Sequence, residues 1–269
     1  MELQVIELNS YTNILTKVKF IASELKLNLK KNKGRPLAIP MEETIAIALF
    51  KQKTGIPTKQ QVYDTLQPKC SYKTLVVNMN NLSGTALILL LLILKTNRQN
   101  SHIVKHIDST DIPVSLNKNA KYHKVMKDLA SWGHSGKGFY YGLKLSITTD
   151  LNRKLLAFYF TSANGNDRET FLKMNKDLYG IFVADAGYVG AKLAKDFYIE
   201  HKRILFAKPL KKMKKLITDW QKKLYDTRML IELNFRNLKM FYNLITSMPR
   251  SITGYFANYI YSILAYVLA

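Results

Sequence analysis

The chain has 269 residues, 47% of them hydrophobic, and carries 41 Lys and Arg against 19 Asp and Glu, a formal net charge of +22. This length and apolar content suit one or two globular domains, and because both halves are basic the charge is not that of one disordered tail. The charge favours a polyanionic partner over a membrane surface, and the single cysteine, Cys70, excludes an intramolecular disulfide and is typical of a reducing cytoplasm.

The first 100 residues predict short helices joined by tight turns. Thr58, Ser71 and Ser83 stand where side chains cap helix N-termini. Two of these short helices, over residues 58–80, form a helix-turn-helix-like candidate for contact with a DNA groove, although many small helical domains bind no DNA. The basic stretch KLNLKKNKGRP is either an exposed loop or an arm along DNA. The expected helices cover residues 9–29, 41–54, 58–66, 71–82 and 83–95.

From residue 102 onward, strand-length apolar runs alternate with helical patterns, which predicts an α/β domain with a mixed sheet. The expected order along the chain is β-β-β-α-β-α-β-α. The expected strands cover residues 102–109, 141–149, 154–161, 181–185 and 203–210, and the expected helices start near Asp167, span 190–201 and span 211–240.

The segment from Ser115 to Gly138 is rich in Lys, His, Gly and Ser and is too polar to belong to a core. It is either a flexible surface loop or a flap that contacts DNA. In the second case Lys121, His123, Lys124 and Lys127 are the candidates for phosphate contact.

The helix predicted over residues 211–240 carries Tyr225, Arg228, Glu232 and Lys239 within a narrow arc. One carboxylate among three groups suited to phosphate is typical of an enzyme that handles a nucleic-acid backbone. The alternative is a solvated helix face with an i,i+4 pair between Arg228 and Glu232.

Two further carboxylates, Asp108 in HIVKHIDSTDIPV and Asp185 in GIFVADAGYVG, follow short β-branched runs. Each is expected to begin a turn at a strand end. Together with Glu232 they could share two divalent ions about 4 Å apart, which activate an attacking oxygen and stabilise a leaving oxygen. Hard cations such as Mg²⁺ choose oxygen ligands.

The ordered set of DST, AD-x-GY and Tyr-Arg-Glu-Lys resembles DDE transposases of bacterial insertion sequences, which have an RNase H-like core. The segments HKVMKDLASWGHSGKGFYYGLKLSI and TSANGNDRE resemble parts of one such group. The resemblance is strong over residues 100–269 and weak before them. It implies a helical, helix-turn-helix-like DNA-binding domain over 1–100 and an RNase H-like catalytic domain with a C-terminal helix over 101–269.

The resemblance also implies roles for the residues of the site. Asp108, Asp185 and Glu232 would be catalytic and would bind two Mg²⁺ ions, for which Mn²⁺ can substitute. Water would hydrolyse the element end, and the freed 3′-hydroxyl would attack target DNA.

Four further residues are expected to contact DNA. Arg228 and Lys239 would position phosphates, and Tyr225 would stack or hydrogen-bond near the scissile nucleotide. Lys208, with the KKMKK cluster that follows it, would contact the backbone, unless these lysines are a solvated helix start.

The implied partners are double-stranded DNA, as terminal inverted repeats and target, and a second copy of the chain, because synapsis of two ends needs a dimer or larger assembly. A bacterial cytoplasmic protein that meets the nucleoid and no membrane is expected. A nuclease without strand transfer, an inactive DNA-binding remnant and a basic structural protein are the alternatives.

Overall fold

The computed structural model describes residues 2–27, 29, 36–201, 203–209, 217–245 and 249–269. The chain divides into two compact units, residues 1–93 with 237–269 and residues 94–236. The predicted domain boundary at residue 100 lies close to the division between residues 93 and 94. The C-terminal segment, however, packs with the N-terminal helices and not with the domain in which the sequence pattern places it. Most of the KLNLKKNKGRP stretch and all of the KKMKK cluster lie outside the described residues.

The first unit is helical, and all of its predicted helices are present. Its first helix ends at Glu24, earlier than predicted, and its fifth runs on to Gln99, in the second unit. The second helix is buried from Thr44 to Gln52, because the first, fourth and last helices pack around it. These helices are α1 (Glu2–Glu24), α2 (Met41–Lys53), α3 (Lys59–Leu66), α4 (Tyr72–Asn81), α5 (Ser83–Gln99) and α10 (Ile252–Val267).

Two of the three predicted caps are confirmed. The Thr58 hydroxyl accepts a hydrogen bond from the Gln61 backbone N–H, and the Ser71 hydroxyl accepts one from Thr74, both at 3.2 Å. Ser83 is instead the first residue of α5.

The apolar run ALILLLLILK lies within α5 and is partly buried in the core, with Leu89 and Leu90 at 1% exposure or less. In the described residues no single helix is long and apolar enough to cross a membrane. By length and composition, α4 and α5 meet that criterion only as a pair bent by 44°.

The second unit is built on a six-stranded mixed sheet with the order β4-β3-β1-β5-β6, and β2 also pairs with β3. β1, β5 and β6 are parallel, while β3 is antiparallel to both β1 and β4. This is the RNase H-like arrangement expected from the sequence. The strands are β1 (Val104–Ser115), β2 (Ser131–Ser135), β3 (Gly138–Asp150), β4 (Leu155–Ser162), β5 (Ile181–Ala184) and β6 (Ile204–Ala207).

The two faces of this sheet have separate cores, because successive side chains of a strand point to opposite faces. Phe182 of β5 packs on one face with Phe171 and Phe197, and its neighbour Val183 packs on the other face with Leu224. The helices that supply these side chains and complete the unit are α6 (Asp167–Met174), α7 (Ala191–His201), α8 (Asp219–Asp226) and α9 (Met229–Met240).

The single helix predicted over residues 211–240 is wrong in its described part, because α8 ends at Asp226 and α9 begins at Met229. The Thr227 hydroxyl donates to the Leu224 carbonyl at 2.6 Å and is also hydrogen-bonded to His106 of β1 at 2.7 Å. A side-chain hydroxyl that bonds locally to the backbone competes with helix continuation. The hydrogen bond between Thr227 and His106 therefore holds the break between α8 and α9 against the sheet.

The prediction that the segment between Ser115 and Gly138 is too polar to belong to a core is also wrong. Met126 is completely buried there, and Ala120 and Ala130 are buried as well. β2 and β3 form a hairpin across Gly136 and Lys137, with ladder partners from Ser131 to Gly142. The buried residues Ala120, Met126 and Ala130 lie in a 3-10 helix, in a turn and just before β2, and not in one regular element, so no helix or strand period marks all three in the sequence.

Candidate active site

The strand register brings two carboxylates together. His106 pairs with Val183 in the parallel ladder between β1 and β5, and the same register continued by two residues sets Asp108 beside Asp185. Asp185 follows β5 directly and precedes a short 3-10 turn, as predicted. Asp108, however, does not begin a turn. It lies in the middle of β1, which runs on to Ser115 because β3 pairs with it along its whole length.

Asp108 is the most enclosed of the three carboxylates. Its side chain is 17% exposed, against 50% for Asp185 and 59% for Glu232. Its Oδ1 accepts a hydrogen bond from the Ser109 backbone N–H at 2.8 Å. Burial raises the pKa of Asp108 to about 6, although Arg228 acts in the opposite direction. A carboxylate in such a place needs a nearby cation to stay charged at neutral pH.

Arg228 supplies that cation and contacts all three carboxylates. Its guanidinium lies 2.7 Å from Asp108 Oδ2, 2.7 Å from Glu232 Oε1 and 3.9 Å from Asp185 Oδ2. Its side chain is only 16% exposed. The i,i+4 pair considered from the sequence is thus present, but it is part of a cluster and not of a solvated helix face.

The break between α8 and α9 places Arg228 in this cluster. Arg228 follows Thr227, whose bond to His106 ties the break to the strand that carries Asp108. Burial lowers the pKa of His106 to about 4, so its ring is neutral at pH 7. Sequence reasoning missed this pair. The available signal was a histidine two residues before Asp108, on the same face of the strand.

Tyr225 and Lys208 flank the cluster. The Tyr225 hydroxyl lies 3.5 Å from Asp185 Oδ1, at the limit of a hydrogen bond. The Lys208 ammonium stands 4.8 Å from the centre of the Tyr225 ring, within the range of a cation–π contact. Two of the predicted DNA-contacting residues therefore lie beside the carboxylates.

The other predicted DNA contacts are not gathered there. Lys121, Lys124 and Lys127 are exposed and, in the described part of the chain, form no ion pair with the carboxylates. His123 is half-buried against the ring of Tyr141, 6.3 Å between centres. Lys239 lies two turns beyond Glu232 on α9.

The oxygen ligands of the cluster match the chemistry of the predicted metal. Asp108, Asp185 and Glu232 offer oxygen ligands that Mg²⁺ and Mn²⁺ accept, and they converge on one cationic group. Among the described residues, no three His, Cys, Asp or Glu side chains are already arranged to hold a metal ion. The ligands therefore fit the ion in chemistry, but Arg228 lies between them.

Known proteins resemble this chain at the level of family and fold. A family model described as a transposase DDE domain matches residues 98–252, which include all three carboxylates. The piggyBac transposase synaptic complex with hairpin DNA is similar in structure, with a TM-score of 0.51 and 9% identity over 97% of this chain and 74% of that chain. The Mos1 mariner paired-end complex with Mn has a TM-score of 0.27 and 11% identity over 91% of this chain and 82% of that chain. No curated protein sequence matches the chain.

Proposed function

We propose that this chain, which belongs to the transposase DDE domain family, is the transposase of an insertion sequence and cleaves and joins DNA through Asp108, Asp185 and Glu232. The observation that carries the proposal is the convergence of these three side chains, from two strands and a helix, on one guanidinium. Grouped carboxylates repel one another and persist only where a cation binds them. The stability of the fold does not require such a cluster, so ligand binding explains it better.

The three carboxylates are the residues that would hold two divalent ions, Mg²⁺ or Mn²⁺. Such ions, when bound, activate an attacking oxygen and stabilise the leaving oxygen of a phosphodiester. Arg228 would then leave Asp108 and Glu232. Its planar guanidinium is suited to a phosphate. The same side chain would therefore offset part of the carboxylate charge before ions bind and would contact a DNA phosphate afterwards.

The residues around the cluster would position the DNA strand. Tyr225, held near Asp185, would stack or hydrogen-bond beside the scissile nucleotide, and Lys208 would contact the backbone. Lys239 and the exposed lysines after β1 would contact phosphates further along. The net charge of +22 supports a DNA partner, bound with strong salt dependence.

The partners would be the terminal inverted repeats of the element and a target duplex. The helices of residues 1–100 would take part in recognising the repeats. Two copies of the chain or more would hold two ends in one complex.

The experiment is a cleavage assay on duplexes that carry the terminal repeats flanking the gene, with Mg²⁺ or Mn²⁺. Asp185→Asn should abolish cleavage, whereas Asp196→Asn, which changes an exposed carboxylate on α7, should leave it unchanged. Equal activity of the wild-type and Asp185→Asn proteins would overturn the proposed site. Binding of the repeats without metal-dependent cleavage would favour an inactive DNA-binding remnant.

A further inference from the structure

The first unit contains a cavity of about 610 Å³ that is separate from the carboxylate cluster in sequence and in chemistry. It lies where the end of α2, the start of α3, α4 and the start of α10 meet. Its walls carry Lys51, Lys59 and Arg250. In the part of the chain that the structure describes, no Asp or Glu lines it. The cavity is therefore cationic.

Lys51, in the last turn of α2, is the most unusual residue of the cavity. It is only 5% exposed, and its ammonium is shielded from solvent and has no hydrogen-bond partner among the described residues. Burial, and then the charge of Lys59, lower the pKa of Lys51 to about 8. Because a buried ammonium without a counter-charge is costly, its retention points to a negative ligand that completes the site.

The second lysine is held in place by a neutral partner. The Lys59 ammonium donates a hydrogen bond to the amide oxygen Oδ1 of Asn80 at 2.7 Å, which orients the side chain without neutralising it. Arg250 is exposed and adds a third cation at the edge. The cavity thus has three positive charges, one of them at its exposed edge.

The N-terminus of α10 faces the same cavity. Ser251 caps this helix of 16 residues by accepting a hydrogen bond from the Gly254 N–H at 3.1 Å, and both residues line the cavity. The first N–H groups of a helix have no partner within the helix, and its dipole is positive at this end. The Gly254 N–H is already bonded to the Ser251 hydroxyl, so it is the dipole of α10 and not this donor that would attract an anion. A helix N-terminus that lies beside a buried, unpartnered ammonium makes an anion site.

We propose that this cavity binds a phosphate group of a DNA strand. Two lysines, an arginine and a helix N-terminus match the charge and the several acceptor oxygens of phosphate better than those of a carboxylate. Tyr72, 38% exposed on the cavity wall, offers a ring on which a neighbouring base can stack. The anion site does not depend on the catalytic proposal, and only the choice of DNA as the source of the phosphate rests on it.

The test measures binding in EDTA, without cleavage, so that its outcome is separate from that of the carboxylate site. The probes are inorganic phosphate, thymidine monophosphate and a short DNA duplex. Lys51→Met removes the buried charge with little change in shape. Lys53→Met, on the same turn of α2 but exposed, is the matched control and changes the net charge equally.

Lys51→Met should weaken binding of inorganic phosphate and of the duplex by about tenfold, the value of one charge-assisted contact, while Lys53→Met changes neither by more than about twofold. Arg250→Gln should give a smaller loss and serves as a second variant should Lys51→Met fold poorly. Equal losses in the two lysine variants would overturn the site in favour of diffuse attraction. Loss of monophosphate binding with unchanged duplex binding would overturn DNA as the source.

Discussion

The carboxylate cluster and the cationic cavity solve the same electrostatic problem in opposite ways. In the cluster, the single positive charge of Arg228 offsets part of the negative charge of enclosed Asp108 and its two neighbours. In the cavity, buried Lys51 has no counter-charge from any described residue. In the cluster, Arg228 occupies the place between the carboxylates and must move before a cation can bind. In the cavity, no described side chain supplies the negative charge, so an anionic ligand would supply it. The predictions below separate these two conditions.

The largest effect is expected where a carboxylate of the cluster is made neutral. Glu232→Gln removes, from a largely exposed position, a carboxylate that would hold a divalent ion. It should reduce metal-dependent cleavage by at least about 100-fold, because the ion that would stabilise the transition state is held less well. DNA binding, measured by anisotropy, should be retained. Metal-dependent nicking that persists in this variant would show that Glu232 does not belong to the site.

The next effect concerns the stability of the first unit. The pKa of Lys51 is about 8 in the folded chain against an ordinary value of 10.5, so the folded state disfavours the charged form. Lys51→Met should therefore raise the free energy of unfolding at pH 7 by about 3 kcal/mol, the equivalent of that pKa shift.

The sign of this effect gives a pH test. Between about pH 8 and 10.5 the unfolded chain binds the extra proton, so wild-type stability rises with pH and the advantage of Lys51→Met disappears. Denaturant unfolding at pH 7 and pH 10.5 measures the difference, with Lys53→Met as the control that shows none. If Lys51→Met were less stable than the wild type at pH 7, the cost of burying the Lys51 ammonium would have to be offset by groups from solution.

The smallest effect tests whether the cluster is closed by Arg228. Arg228→Gln removes the cation that competes with a metal ion for Asp108 and Glu232, and should strengthen Mn²⁺ binding by about tenfold. Calorimetry with Mn²⁺ measures this without any DNA or catalysis. Arg236→Gln, on the exposed side of α9, is the control for net charge. Unchanged or weaker Mn²⁺ binding in Arg228→Gln would show that Arg228 does not hold the site closed.

The sequence predicted those features that depend on residues close to one another along the chain. The strand and helix alternation predicted the RNase H-like sheet, and the structure brings the three carboxylates singled out by motif around one arginine. Register explains the first two, because β1, which contains Asp108, pairs in parallel with β5, which Asp185 directly follows. The third, Glu232, was singled out for a partly wrong reason, since Tyr225 and Glu232 lie on two helices and not on one, and the catalytic role of all three residues stays a prediction.

What the sequence could not show depends on contacts between distant segments. The break at Thr227 is fixed by His106, more than a hundred residues earlier, and it sends Arg228 to the carboxylates instead of to solvent. The C-terminal helix α10 packs with helices that lie far from it along the chain. The Tyr261 hydroxyl of α10 donates to the Met79 carbonyl of α4, and the Gln52 amide of α2 donates to Asn258 of α10. In the sequence, Lys51 is an ordinary basic residue at a helix end. Its burial is visible only in the structure, where α10 packs against α2.

The most direct test of the account is a strand-transfer assay with pre-cleaved terminal-repeat DNA, a supercoiled target and Mg²⁺ or Mn²⁺. The account predicts covalent joining of the 3′-hydroxyl to the target by the wild-type chain and none by Asp108→Asn. Cleavage of intact ends without any joining of pre-cleaved ends would contradict it and identify a nuclease.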